Sequence, residues 1–199
     1  MSNPAFIVDG QMEQKIIQKI CPGQPVRLLQ CNGRNVSYEA AAKKAASLIR
    51  LQKRYQPIII IFDREGRPDN HRFIANALYR AIEDQGIPKV TVIIGVPDRM
   101  IENWLLADIK AVNCYYSKIK PIKQKIFEGN SGKSRIRSLI GRSQYSETQD
   151  GPEIFIKCNQ SCMCQNSDSF NEFYGKIKTI KCRWLHNVVP TTHNTPNKS

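Results

Sequence analysis

Pro57-Ile58-Ile59-Ile60-Ile61-Phe62-Asp63-Arg64-Glu65-Gly66 is an isoleucine-rich apolar run that stops in two carboxylates one residue apart. A run of this kind reads as a strand buried on both faces, as in a parallel sheet. Such sheets bind ligands beyond the carboxyl ends of their strands, so Asp63 and Glu65 stand where a site would form. Hard oxygen ligands at a strand end suit Mg²⁺, or Mn²⁺ in its place, because Mg²⁺ is usually held by one or two carboxylates plus waters and substrate phosphates. The plainer reading is a buried strand followed by a solvated, charged turn.

A second strand end repeats the pattern. Ala5-Phe6-Ile7-Val8 runs into Asp9-Gly10 and then into a helical pattern carrying Glu13, Ile16, Ile17 and Ile20. Gly10 lets the backbone turn sharply, and Asp9 and Glu13 then project over the same sheet rim as Asp63 and Glu65. Glu13 can also be read as a first-turn acid that merely complements the helix dipole.

Outward from these two strands the first half alternates. Residues 26–31 form a strand after the Pro22-Gly23-Gln24-Pro25 loop, and residues 38–55 show helical spacing at Ala41, Ala45, Leu48 and Ile49. After the isoleucine strand come a helix over about residues 70–85, a strand over 90–96, and a helix from Met100 with Trp104 and Leu105 on one face. This βαβαβαβ order predicts an α/β fold: a mostly parallel, Rossmann-like sheet flanked by helices and joined by right-handed crossovers. Residues 1–112 make the α/β core, residues 113–189 a basic, irregular C-terminal extension that completes the domain, and residues 190–199 a disordered tail.

The 199 residues carry a formal charge of +13, concentrated in the extension, where Lys118, Lys120, Lys123, Lys125, Lys133, Arg135, Arg137 and Arg142 are interleaved with Tyr115, Tyr116 and Phe127. A surface of this sign attracts polyanions, so nucleic acid, DNA or RNA, is the expected partner. Lys118, Lys125, Lys133, Arg135 and Arg137 are the candidate phosphate contacts. A solvated basic face or an acidic protein partner are the competing explanations. No apolar stretch approaches a membrane span and the first residues lack a secretory pattern, which points to a cytoplasmic protein with reduced thiols.

Gly129-Asn130-Ser131-Gly132-Lys133-Ser134 has only two residues between Gly129 and the Gly-Lys pair, which excludes a P-loop, and no G-x-G-x-x-G follows the first strand. Residues 153–157, Glu-Ile-Phe-Ile-Lys, read as a late strand, and residues 169–180 as a closing helix. Cys158, Cys162, Cys164, Cys182 and His186 offer thiol and imidazole ligands, but at spacings unlike the usual zinc knuckles.

Taken in order, Asp9-Gly10-Gln11-Met12-Glu13 and Asp63-Arg64-Glu65 resemble the two acidic motifs of the Toprim superfamily, which includes topoisomerases, DnaG-type primases and OLD-type nucleases. The segments Pro97 to Leu106 and Asn166 to Phe173 look like the small stand-alone Toprim-like proteins encoded beside an ATPase in bacterial anti-phage systems. Asp9 stands where the superfamily usually has Glu, and Glu65 where it has Asp. The resemblance implies Mg²⁺-dependent phosphodiester cleavage in anti-phage defence with an ATPase partner. Asp9, Glu13, Asp63, Glu65 and Glu102 would be the catalytic acids, and Asp63, Glu65 and Asp69 the metal ligands. It also leaves open a tyrosine nucleophile among Tyr115, Tyr116 and Tyr145, and a binding module that keeps the basic face without the chemistry.

Overall fold

The computed structural model describes residues 3–31, 36–117, 120–141 and 145–180. In these, four strands and nine α-helices follow the order β1 (Ala5–Val8), α1 (Gln11–Ile20), β2 (Val26–Leu28), α2 (Tyr38–Leu51), β3 (Ile58–Ile61), α3 (His71–Glu83), β4 (Val92–Gly95), α4 (Ile101–Leu106), α5 (Ile109–Tyr115), α6 (Gly132–Ile140), α7 (Glu147–Phe155), α8 (Gln160–Asn166) and α9 (Asp168–Ile177). A 3-10 turn over Lys89–Thr91 leads into β4. Asn70 accepts from the Phe73 N–H at the start of α3, and Ser37 from the Ala40 N–H at the start of α2. These are the side-chain caps expected where a loop hands over to a helix.

The strands form one all-parallel sheet in the order β2-β1-β3-β4. β1, β3 and β4 are covered on both sides, and the period of two along each strand divides the core. Ala5, Ile7, Ile58, Ile60, Val92 and Ile94 pack with α2 and α3, while Phe6, Val8, Ile59 and Ile61 pack with α1, α4 and the C-terminal helices. This two-sided burial is why β3 is a continuous isoleucine run and not an alternating one.

The C-terminal helices cover one face through an aromatic group centred on Trp104. Phe173 stacks on it at 5.1 Å between ring centroids, Phe170 meets it edge-on at 5.3 Å, and its indole N–H donates to Ser169 Oγ. Gly95, at the end of β4, lies under the Phe173 ring, and a Cβ there would stand 2.4 Å from Phe173 Cδ2. The ring is held against Trp104 and cannot swing clear. Gly95→Ala should therefore cost on the order of 2 kcal/mol or more, read as a lower urea midpoint at unchanged slope.

The expected strand at residues 153–157 is instead the end of α7, which closes at Phe155, and the turn that follows. Gly151, Pro152, Ile154 and Phe155 are its buried positions, a helical spacing that packs on α1. A short run of Ile and Phe fits either period, and Pro152 just before the run weakens the helical pattern. The tail, residues 190–199, lies outside the described residues. Among the described residues no helix is long and apolar enough to cross a membrane.

Candidate active site

The strand order reverses direction between β1 and β3, since β2 lies to one side of β1 and β3 and β4 to the other. In open parallel sheets this switch point opens a crevice at the carboxyl ends of the strands. Val8 pairs with Ile61 and Ile61 with Gly95, so β1, β3 and β4 end level and deliver Asp9, Asp63 and the 97–100 turn to one rim. A cleft of about 720 Å³ opens there, its acidic wall formed by Glu13, Asp63, Glu65 and Glu102. Gly10, Arg99, Met100, Ser131, Lys133 and Glu147 complete much of the lining.

Each acid is placed by a local device. Glu13 curls back over the start of α1, where its Oε2 would lie 2.7 Å from a Cβ on Gly10; the glycine supplies the space. Asp9 is buried below the rim, accepting from the Cys31 N–H at 2.9 Å and from the backbone of Asp63. It ties the end of β1 to the chain beyond β2 and β3 and does not itself line the cleft. Glu65 has φ +51°, a left-handed conformation uncommon for a residue with a side chain. A reciprocal pair of hydrogen bonds holds it there, Glu65 N donating to Arg99 O at 2.6 Å and Arg99 Nη1 to Glu65 O at 2.9 Å. The acid was legible in sequence; Arg99, which clamps it, was not singled out.

The opposite lip is the 127–132 segment. Asn103 Nδ2 donates to the carbonyls of Phe127 and Asn130, and Asp98 accepts from Arg64 Nη1 at 2.7 Å and from the Gly129 N–H. A Cβ at Gly132 would meet the Asn103 backbone N at 2.7 Å, so α6 starts in direct contact with α4. Of the two glycines that resemble a P-loop, Gly132 serves this close approach, and Gly129 takes a left-handed φ of +85° in the turn before it.

Burial and mutual repulsion act together on the acids. Burial, then the charge of Glu65 among others, pushes Asp9 up to about 6 despite its backbone hydrogen bonds. Glu13 is pushed up to about 7 by burial, with Glu102 and Asp9 adding to it. Asp63 lies well above the ordinary carboxylate range, through burial and the charges of Glu13, Glu102, Asp9 and Glu65. Glu102 is raised by burial and by Glu147, and lowered by Lys133. All five predicted catalytic acids therefore share one electrostatic neighbourhood. Like-charged carboxylates held together out of water are a usual sign of a functional centre.

A family model described as a domain of unknown function, DUF4276, matches residues 8–178. The chain belongs to the DUF4276 family. No curated protein and no solved structure matches it. The match begins at the last residue of β1 and ends just past α9, so the DUF4276 unit contains all five acids and the helices that build the cleft.

The DUF4276 residues fit a divalent cation in one respect that can be checked directly. Asp63 Oδ1 is buried and has no hydrogen-bond partner, an orphaned acceptor facing a set of hard oxygen donors. Among the described residues, no three His, Cys, Asp or Glu side chains form a ready-made metal cage. Mg²⁺ needs only one or two carboxylates, with water and phosphate as its other ligands. Asp69 is not brought to the cleft lining. Arg67 anchors the loop after Asp63 to the Val36 carbonyl, and Asp69 instead accepts the Tyr38 hydroxyl at 2.9 Å.

The basic residues of the DUF4276 chain divide. Lys133 lines the cleft, and both it and Arg137 pair with Glu147, a residue the misread helix had hidden. Lys125 and Arg135 are exposed outside the lining, Arg135 over the Phe127 ring. Lys118 lies outside the described residues.

The tyrosines act as donors. Tyr115 and Tyr116 donate to Asp150, Tyr145 to Glu102, and burial with these contacts raises all three, Tyr115 to about 12. A raised phenol is a poor nucleophile at neutral pH. Cys158 and Cys162 are likewise raised by burial and bond backbone carbonyls, as packed thiols do. Cys31, Cys114, Cys158, Cys162 and Cys164 are free, but Cys21 is disulfide-bonded, which corrects the expectation of a wholly reduced set. An odd count and scattered positions do not determine which thiols the fold brings together. Cys182 and His186 lie outside the described residues.

Proposed function

We propose that this protein is a divalent-cation-dependent nuclease that cleaves nucleic-acid phosphodiesters, as its resemblance to Toprim nucleases implies. The observation that carries the reading is the convergence of Asp9, Glu13, Asp63, Glu65 and Glu102 at the β1/β3 switch point, with the single orphaned oxygen on Asp63. Asp63 and Glu65 would hold Mg²⁺ or Mn²⁺, and Asp9 would fix the Asp63 backbone below them. The cation would supply charge neutralisation at the scissile phosphate and an acidified water. Glu13 and Glu102 would position that water and take its proton, and Lys133 would face the phosphate from the opposite lip. The same resemblance suggests a cytoplasmic effector of anti-phage defence acting with an ATPase partner.

One observation favours a second reading. The acids do not form a preassembled cage, and a binding module that keeps only the basic face would need none. The deciding experiment incubates the purified protein with single- and double-stranded DNA and RNA, with Mg²⁺, with Mn²⁺ and with EDTA, and with an ATPase partner supplied. Divalent-dependent cleavage lost in Asp63→Asn supports the nuclease. Salt-sensitive binding with no cleavage under any condition replaces it with the binding module.

A further inference from the structure

Lys133 and Arg137 lie one turn apart on α6, on the same face. Both point at one carboxylate across the cleft lip: Lys133 Nζ is 2.8 Å from Glu147 Oε2, and Arg137 Nη2 is 3.0 Å from Glu147 Oε1. Two cations gripping the two oxygens of one anion is the arrangement by which proteins bind a phosphate. From these contacts we infer that Lys133, on the cleft lining, and Arg137, beside it, form a phosphate-binding subsite at the edge of the cleft, and that the Glu147 carboxylate is the internal anion a substrate phosphate displaces.

Three features make the exchange favourable. Glu147 sits in the field of Glu102, whose pKa it raises, so its charge is repelled by the acid wall and is held by the two cations. The three side chains are between 32% and 41% exposed, and ion pairs that accessible contribute little, so a competing anion has little to overcome. Arg137 Nε is buried with no acceptor, leaving one edge of the guanidinium fork unused by Glu147. A phosphate, with more oxygens than a carboxylate, can take both Nε and Nη2. Glu147 thereby acts as a selectivity filter, since only an anion that pairs better than the resident carboxylate opens the subsite.

This inference rests on the reading that the cleft takes a phosphodiester, and its test is made without divalent cations so that binding and cleavage are judged apart. The probe is a fluorescent single-stranded oligodeoxynucleotide in EDTA, titrated at several salt concentrations, with inorganic phosphate and pyrophosphate as competitors. Glu147→Gln keeps the size of the side chain and removes the competitor, and should bind the probe roughly fivefold more tightly. The double variant Lys133→Gln with Arg137→Gln should bind more weakly, with a logarithmic salt slope smaller by about 0.7, the loss of one phosphate contact on a single strand. Pyrophosphate should displace the probe from Glu147→Gln at lower concentration than from the native chain. Unchanged or weaker binding by Glu147→Gln overturns the inference, even if the native protein cleaves. If Glu147→Gln melts early, Arg137→Lys decides, because it keeps the pair with Glu147 and loses the fork: binding at native strength overturns the subsite, and a severalfold loss supports it. A chain that never cleaves yet shows these shifts keeps the subsite and loses the nuclease.

Discussion

Asp63→Asn should abolish divalent-dependent cleavage while making the metal-free protein more stable at about pH 8. Asp63 is the acid that faces all four others, and its Oδ1 has no partner within the protein. An amide of the same shape keeps the packing and removes the charge that Glu13, Glu102, Asp9 and Glu65 repel. Loss of one preorganised electrostatic contact costs about 10²- to 10³-fold in rate, and loss of a metal ligand should reach the upper end of that range. The gain in stability should be on the order of 1–3 kcal/mol, or roughly 3–10 °C in melting temperature for a chain of this size. Thermal melting and a cleavage assay on the same sample make the test. A variant that is less stable than the native chain without metal would show that Asp63 serves the fold and not a cation.

The architecture was legible because a parallel sheet buried on both faces writes itself as apolar runs, and each such run here ended in a polar rim. β1, β3 and β4 could be read as apolar runs, and the helices between them from their spacing. The acids were legible for the same reason: Asp9 and Asp63 come at the ends of apolar strand runs, where polar side chains mark the rim. What surrounds them was not. Arg99 reaches Glu65 through its backbone, and Asn103 holds the 127–130 lip through two carbonyls, contacts that leave no pattern in sequence. Glu147 was concealed because residues 153–157 resemble a strand, and the helix that presents it could not be placed. Asp69 followed Asp63 closely enough to look like a ligand, but Arg67 carries the loop toward α2. The basic residues fared unevenly, since charge density marks a face and not which of its members meets the cleft.

The stability of the metal-free protein should fall as pH rises from about 4 to above about 7, and added Mg²⁺ should restore it at the upper end. The sign follows from the direction of the shifts. Asp9 is raised to about 6 and Glu13 to about 7, and Asp63 and Glu102 are raised as well, so across this window the folded chain holds more protons than the unfolded one. Stability then declines with pH until the folded groups have ionised, by on the order of 3 kcal/mol for a single acid shifted this far. Glu172, lowered by Lys176 and Arg72 although burial opposes them, works the other way and is lost only toward acid. The curve should therefore peak at about pH 4 and drop on the alkaline side, unlike a protein whose carboxylates are mostly paired. A divalent cation that binds only the folded, ionised cluster adds about 2.7 kcal/mol at a hundredfold excess over its dissociation constant, and its effect should shrink at about pH 5, where protons already occupy Asp9 and Glu13. Melting curves at about pH 5 and about pH 8, each with Mg²⁺ and with EDTA, test both halves. A Mg²⁺ shift of equal size at the two pH values would place the cation away from these acids, and no alkaline decline at all would mean that the cluster is solvated rather than confined.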